Sequence, residues 1–149
     1  MGVGASLFVD SAASWHVAYV DASQRVLRYL EVANGSTVGK AEVVDDGLGV
    51  DGVPFDDAWH AVGEDANIVV TDSGEVRIAY QDATAGTLRY AVGTPQSGGG
   101  HTWSIKVVDD GNTTGFFPKL LTVGGETKIA TWWRAGGAKI EGNVRLVAP

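Results

Sequence analysis

His16-Val-Ala-Tyr-Val-Asp-Ala-Ser-Gln-Arg-Val-Leu-Arg-Tyr-Leu30 aligns without a gap on Arg77-Ile-Ala-Tyr-Gln-Asp-Ala-Thr-Ala-Gly-Thr-Leu-Arg-Tyr-Ala91, with seven of fifteen positions identical at an offset of 61. Val43-Val-Asp-Asp-Gly47 recurs intact as Val107-Val-Asp-Asp-Gly111, at an offset of 64. The slip of three falls between Asn34–Lys40 and Gly93–Thr102, where a loop absorbs inserted residues. A third, degraded copy lies beyond: Ile129-Ala130 matches Ile78-Ala79, and Val144-Arg145-Leu146 matches Leu88-Arg89-Tyr90. A fixed period of this size is the mark of a repeat architecture, each copy being one supersecondary unit.

The units read as strands. Ser6-Leu-Phe-Val9, Trp15–Val20 and Val26–Leu30 are rich in β-branched and aromatic residues. Turn signals divide them: Asp10–Ser14, Asp21–Gln24 and Asn34-Gly-Ser36, then Thr71-Asp-Ser-Gly74, Asp82–Gly86 and Gly124-Gly125. No stretch keeps a helical apolar period over three turns. The reading predicts strands at 6–10, 15–21, 26–33 and 40–46, then 67–72, 75–82, 87–94 and 103–110, then 118–123, 126–134 and 143–148. The expected fold is all-β, built of four-stranded antiparallel meander repeats: residues 1–61 as one blade, 62–117 as a second and 118–149 as a partial third.

Composition agrees with a folded domain and excludes several classes. The 149 residues are 44% hydrophobic and 19% charged, unlike a disordered chain. There is no cysteine, hence no disulfide framework and no thiolate chemistry. A net charge of −7 argues against nucleic acid and anionic membrane surfaces as partners, and no apolar run is long enough to insert in a bilayer. Met1-Gly2-Val3-Gly4 has no basic region leading into an apolar one, so no signal peptide is expected in this chain. Between Ala41 and Val76 lie ten acids and no lysine or arginine, while Arg77 to the end has eight bases and five acids. Such a stretch is either a solvated acidic face or a site for a cation or a basic partner.

The run of strand, Asp72-Ser-Gly74 turn, Val76-Arg-Ile-Ala-Tyr-Gln-Asp82, Leu88-Arg-Tyr-Ala91 and Val107-Val-Asp-Asp-Gly111 resembles blades of bacterial β-propeller repeats, loosely those of the sialidase or Asp-box type. The resemblance covers about two and a half blades. It implies a β-propeller-like partial ring and an extracellular or periplasmic location. An Asp-box reads Ser/Thr-x-Asp-x-Gly-x-x-Trp between a blade's third and fourth strands. Thr71–Val76 instead lies between the first and second and lacks the tryptophan, so no sialidase catalytic residue carries over. Arg28, Arg89 and Arg145 sit at equivalent repeat positions, which suits a strand arginine paired to a turn aspartate better than one shared ligand.

Residues that recur with the period read as scaffold: Asp21 and Asp82 accept turn N–H groups, and Ala18, Ala79 and Ala130 are small where sheets approach. Residues that break it are the candidate sites. Trp132, Trp133 and Arg134 have no counterpart in the other copies, and Trp59-His60 interrupts the acidic stretch. These five are the candidate ligand-binding residues, with a glycan as the ligand that stacks on tryptophan. Asp45, Asp46, Asp51, Asp56 and Asp57 supply enough carboxylate oxygen for a candidate calcium site, without EF-hand spacing. His16, His60 and His101 show no zinc-ligand spacing, and there is no Gly-x-Ser-x-Gly elbow.

Two and a half blades cannot close a ring of the usual four to eight. The expectation is completion by self-association, a homodimer giving five or six blades. The leading functional reading is a noncatalytic binding module, lectin-like in character. The alternatives are a structural or protein-interaction fragment of a larger secreted protein, and a glycosidase-like hydrolase. The last is disfavoured because adjacent carboxylates do not face each other across a scissile bond.

Overall fold

The computed structural model describes residues 2–33, 35–49, 53–56, 58–124, 126–135 and 141–149, and among these it contains strands and turns but no helix. The first sheet is the meander β1 (Gly2–Val9), β2 (Trp15–Asp21), β3 (Val26–Ala33) and β4 (Ser36–Asp45). The second is β5 (Val62–Val70), β6 (Val76–Asp82), β7 (Thr87–Pro95) and β8 (His101–Asp109). The third has three strands, β9 (Thr113–Val123), β10 (Glu126–Ala135) and β11 (Glu141–Val147). All pairs are antiparallel, and the array is not closed.

The sequence repeat is a repeat of register. Tyr19 pairs with Arg28 in the first sheet, Tyr80 with Arg89 in the second and Thr131 with Arg145 in the third. Even the irregularities recur: the β3–β4 ladder slips between Leu27 and Arg28, and the β7–β8 ladder between Leu88 and Arg89. A bulge bends the strand and re-aims the side chains beyond it. Here it adjoins Asp45 and Asp109, each of which reaches across to an arginine of the next sheet.

The sheets stack in chain order, each burying the face that the period-two alternation makes apolar. Ala18, Leu27, Tyr29 and Val44 of the first sheet pack on Val76, Ile78, Tyr80 and Ala91 of the second. The second sheet's other face, Ala79, Leu88 and Tyr90, packs on Leu120 and Ile129 of the third. The middle sheet is therefore covered on both sides, and β6 reads as an almost unbroken buried run. Gly63 lets the first two sheets meet: its φ is +94°, and a Cβ there would lie 2.9 Å from Leu27 Cβ.

All eleven expected strands are present. The first strand of each sheet starts earlier than the alternation implied, at Gly2, Val62 and Thr113. Left-handed residues interrupt these strands, at Gly4, at Gly63 and Asp65, and at Gly115 and Phe117. Each shifts the pleat and hides the alternation on which a strand reading depends.

Among the described residues, the two outermost faces lack a neighbouring sheet. On the first sheet, Leu7, Val9 and Trp15 are exposed beside Val17 and Tyr19, although Val76, Ile78 and Tyr80, the repeat equivalents of Trp15, Val17 and Tyr19, are fully buried. On the third, Val144 and Leu146 are exposed, although their equivalents Leu88 and Tyr90 are buried.

Candidate functional site

The second sheet's arginine sits in a buried ionic cluster at the first seam. β7 carries Arg89 opposite Tyr80, and the bulge at the end of β4 swings Asp45 towards it. Arg89 donates to Asp45 Oδ2 at 2.9 Å, and its other Nη lies 2.5 Å from Asp82. Tyr80 donates to the same Asp45 oxygen at 2.6 Å, and the Gly47 N–H reaches Oδ1 at 2.9 Å. His60 Nδ1 is 2.5 Å from Asp82 Oδ2, while Thr84 and Ala85 N–H groups hold Oδ1. Phe55 stacks on His60 at 4.1 Å and lies under the Arg89 guanidinium. Burial works against the charged guanidinium, but Asp45 and Asp82 outweigh it and hold Arg89 above its ordinary pKa. Burial, reinforced by Asp45, pushes the Tyr80 phenol well up.

The second seam repeats the lock with other parts. Arg145 Nη1 donates to both oxygens of Asp109 at 2.7 and 2.8 Å. Gly111 N–H again caps the carboxylate. Thr131 occupies the tyrosine position and cannot reach, so Thr114 Oγ1 supplies the hydroxyl to Asp109 at 3.0 Å. Trp133 stands to Arg145 as Phe55 does to Arg89, with the guanidinium 5.1 Å from the ring centroid. Arg28 has no preceding sheet; it bonds within its own turn, to Asp21 at 3.2 Å and to Gln24.

The predicted site residues thus separate. His60 and Asp45 belong to the first lock and Trp133 to the second. Trp132 points to the outer face, edge-on to Phe116 and over Gly142, where a Cβ would collide with its ring. Trp59 (61% exposed) and Arg134 remain open to solvent. Of the candidate calcium ligands, Asp45 has its oxygens engaged by protein donors, Asp46 caps Leu48 N–H, Asp56 is exposed, and Asp51 and Asp57 lie outside the described residues. Among the described residues no group of three or more acids and histidines is placed to hold a metal ion.

No protein-family model matches the chain, and no curated protein matches it significantly.

Sequence reading did not single out a cleft at the opposite end of the first seam. Its volume is about 410 Å³, within the usual range for ligand sites. The β1–β2 and β5–β6 turns and the β7–β8 loop frame it. His16 lies in its floor, with Nδ1 2.7 Å from the Tyr29 hydroxyl and Nε2 3.3 Å from Asp10. The N–H groups of Ser14 and Ala12, with His16, hold Asp10 below the usual carboxylate range. His101 lies beside it, its Nδ1 3.0 Å from Glu42, which also accepts from the His101 N–H and from Trp103 Nε1. The available signal was that His16 and His101 stand at the starts of β2 and β8, two strands that run the same way in successive meanders.

Proposed function

We propose that the chain is a noncatalytic binding module of propeller-type repeats whose ring is completed by a second copy packing head to tail. The supporting observation is the equivalence of faces. The outer face of the third sheet (Ala130, Trp132, Val144, Leu146) repeats the face by which the second sheet packs on the third. The outer face of the first sheet (Trp15, Val17, Tyr19, Leu30) repeats the face by which the second packs on the first. Two faces that already meet twice within one chain are each left over at its ends. Joining them between two copies buries apolar surface that soluble proteins cover, and does so with closed symmetry.

On this reading Trp132 is an interface residue, and His60 and Trp133 serve the locks. Trp59 and Arg134, both open to solvent, are left as the ligand-facing members of the predicted set, with a glycan as the ligand class. A glycan array probed with the wild type, Trp59→Ala and Arg134→Ala tests this part. Binding lost in either folded variant supports it, and absence of any glycan signal opposes it. Light scattering across a dilution series tests the assembly, and a well-folded monomer at every concentration would oppose it.

A further inference from the structure

A counterpart of the cleft over His16 opens at the second seam, with a volume of about 530 Å³. Glu75, Arg77, Tyr90 and Val92 line it from the second repeat, and Thr127 and Pro149 from the third. Arg77 and Tyr90 stand 61 residues after His16 and Tyr29, the pair in the first cleft. We infer that this second cleft binds a monoanionic organic carboxylate, held by the Tyr90 hydroxyl and the Arg77 guanidinium.

The two clefts differ at the tyrosine. In the first, His16 Nδ1 lies 2.7 Å from the Tyr29 hydroxyl and satisfies it. In the second, Arg77 takes other partners: Nε donates to Glu75 at 2.7 Å, and Nη1 donates across the seam to Thr127 Oγ1 at 2.6 Å. Tyr90 is only 5% exposed, yet its hydroxyl makes no hydrogen bond among the described residues. Among these residues, the unpartnered side-chain atoms sealed from solvent are Thr87 Oγ1 and Arg89 Nε. The Tyr90 hydroxyl is therefore open, and what it opens on is the cleft that Tyr90 lines. Burial raises its pKa, and the charges that act on it are Arg77 and Glu75, both in the same lining, so it stays a neutral O–H donor.

Arg77 Nη2 also has no partner among the described residues. Arg77 and Tyr90 are diagonal neighbours on one face of β6 and β7, since Arg77 pairs with Val92 and Ala79 with Tyr90. Two uncommitted donors side by side, one of them charged, match an acceptor that carries negative charge. The charge balance selects a monoanion: Glu75 offsets Arg77, and Glu126 offsets Lys128 at 2.8 Å, which leaves no surplus for a phosphate dianion. Val92 stands where the first cleft has Glu31, and with Pro149 it gives the carbon body of the ligand an apolar wall.

The cleft lies within one chain and uses neither Trp59 nor Arg134, so it depends on neither the assembly nor the glycan site proposed above. The test is titration of the full chain, followed through the Tyr90 ring and Arg77 side-chain NMR resonances. Butyrate represents a free carboxylate and the blocked tripeptide acetyl-Gly-Glu-Gly-amide a side chain presented by a partner protein. Butyramide is the neutral isostere, and inorganic phosphate the dianion. Either carboxylate should bind and shift both sets of resonances, and the tighter of the two identifies the source. Tyr90→Phe and Arg77→Gln should each weaken binding about tenfold or more, the loss expected for one hydrogen bond to a charged group. Tyr90→Phe should also leave the melting temperature of the unliganded chain unchanged, because the hydroxyl bonds to nothing there. Three results would overturn the inference. Neither carboxylate binds at millimolar concentration; or butyramide or phosphate binds as tightly as butyrate; or the two folded variants bind butyrate as the wild type does.

Discussion

Asp45 and Arg89, 44 residues apart in sequence, meet at 2.9 Å across the seam between the first two sheets, and Asp109 and Arg145 make the same contact across the next. The strand-end aspartate of one repeat thus holds the third-strand arginine of the following one. A repeat that locks in this direction has a donor end and an acceptor end, and stacking is its natural outcome.

The three repeat arginines should differ sharply in their contribution to stability. Arg89→Met leaves Asp45 and Asp82 buried without their counter-charge and should cost about 3–5 kcal/mol. Arg28→Met removes a partly buried pair joined by one 3.2 Å contact within its own turn and should cost the least of the three. Arg145→Met should fall between them, because it joins two sheets through both Asp109 oxygens while its own head is one-third exposed. Urea unfolding of the three variants gives the order, and equal losses would show that the locks are not what distinguishes them.

Alkaline stability is set by the tyrosines. Burial, the largest cause in each case, raises Tyr29, Tyr80 and Tyr90 above the usual phenol value. A raised folded pKa contributes stability that is complete below the unfolded value, near pH 10, and is lost as pH climbs beyond it. Phenolate absorbance from these three should therefore appear together with the loss of near-ultraviolet circular dichroism. Full ionisation of all four tyrosines with the dichroism unchanged would contradict this.

The acid side has the opposite sign. Asp10 and Asp21 lie below the ordinary carboxylate range, Asp10 chiefly through the Ser14 N–H. For Asp21 burial pulls upward, but the turn N–H groups and Arg28 outweigh it. Their contributions are present above the unfolded value and vanish as pH falls through the folded one. NMR titration of the carboxyl carbons should place both midpoints below about 3.9, the ordinary value for an unperturbed aspartate. Midpoints at or above that value would refute the assignment.

Gly63 and Gly99 both have positive φ, yet alanine should be tolerated very differently at the two. Gly99→Ala meets no atom within 4 Å and carries only the left-handed backbone cost of about 1–2 kcal/mol. Gly63→Ala adds a collision with the Leu27 and Val20 side chains, about 1–3 kcal/mol more. Thermal melts of the two variants make the comparison. Equal melting temperatures would mean that the first seam is looser than its packing implies.

Much of this was legible in the sequence, for physical reasons. The strands could be read because period-two alternation survives wherever one face is buried, as in Trp15–Asp21. The turn roles of Asp21 and Asp82 could be read because an aspartate two or three residues before a free N–H has few other uses. The equivalence of Arg28, Arg89 and Arg145 was visible as well, but not the cross-seam partner of Arg89. A contact between sheets leaves no local pattern; it depends on how sheets stack and on a bulge that shifts Asp45 by one position. His60 read as a ligand candidate because it broke the period, and its burial against Asp82 left no mark in the sequence. The joining of Glu42 to His101 was equally hidden, since neither residue repeats.

Sedimentation velocity of paired variants tests the head-to-tail assembly. Val17→Asp places a charge on the outer face of the first sheet, and Leu146→Asp places one on the outer face of the third. The wild type should sediment as a closed assembly of two chains, and each variant alone as a folded monomer. An equimolar mixture of the variants should regain a two-chain species, because one intact face of each kind is then present. A folded wild-type monomer, or a mixture that stays monomeric, would contradict it.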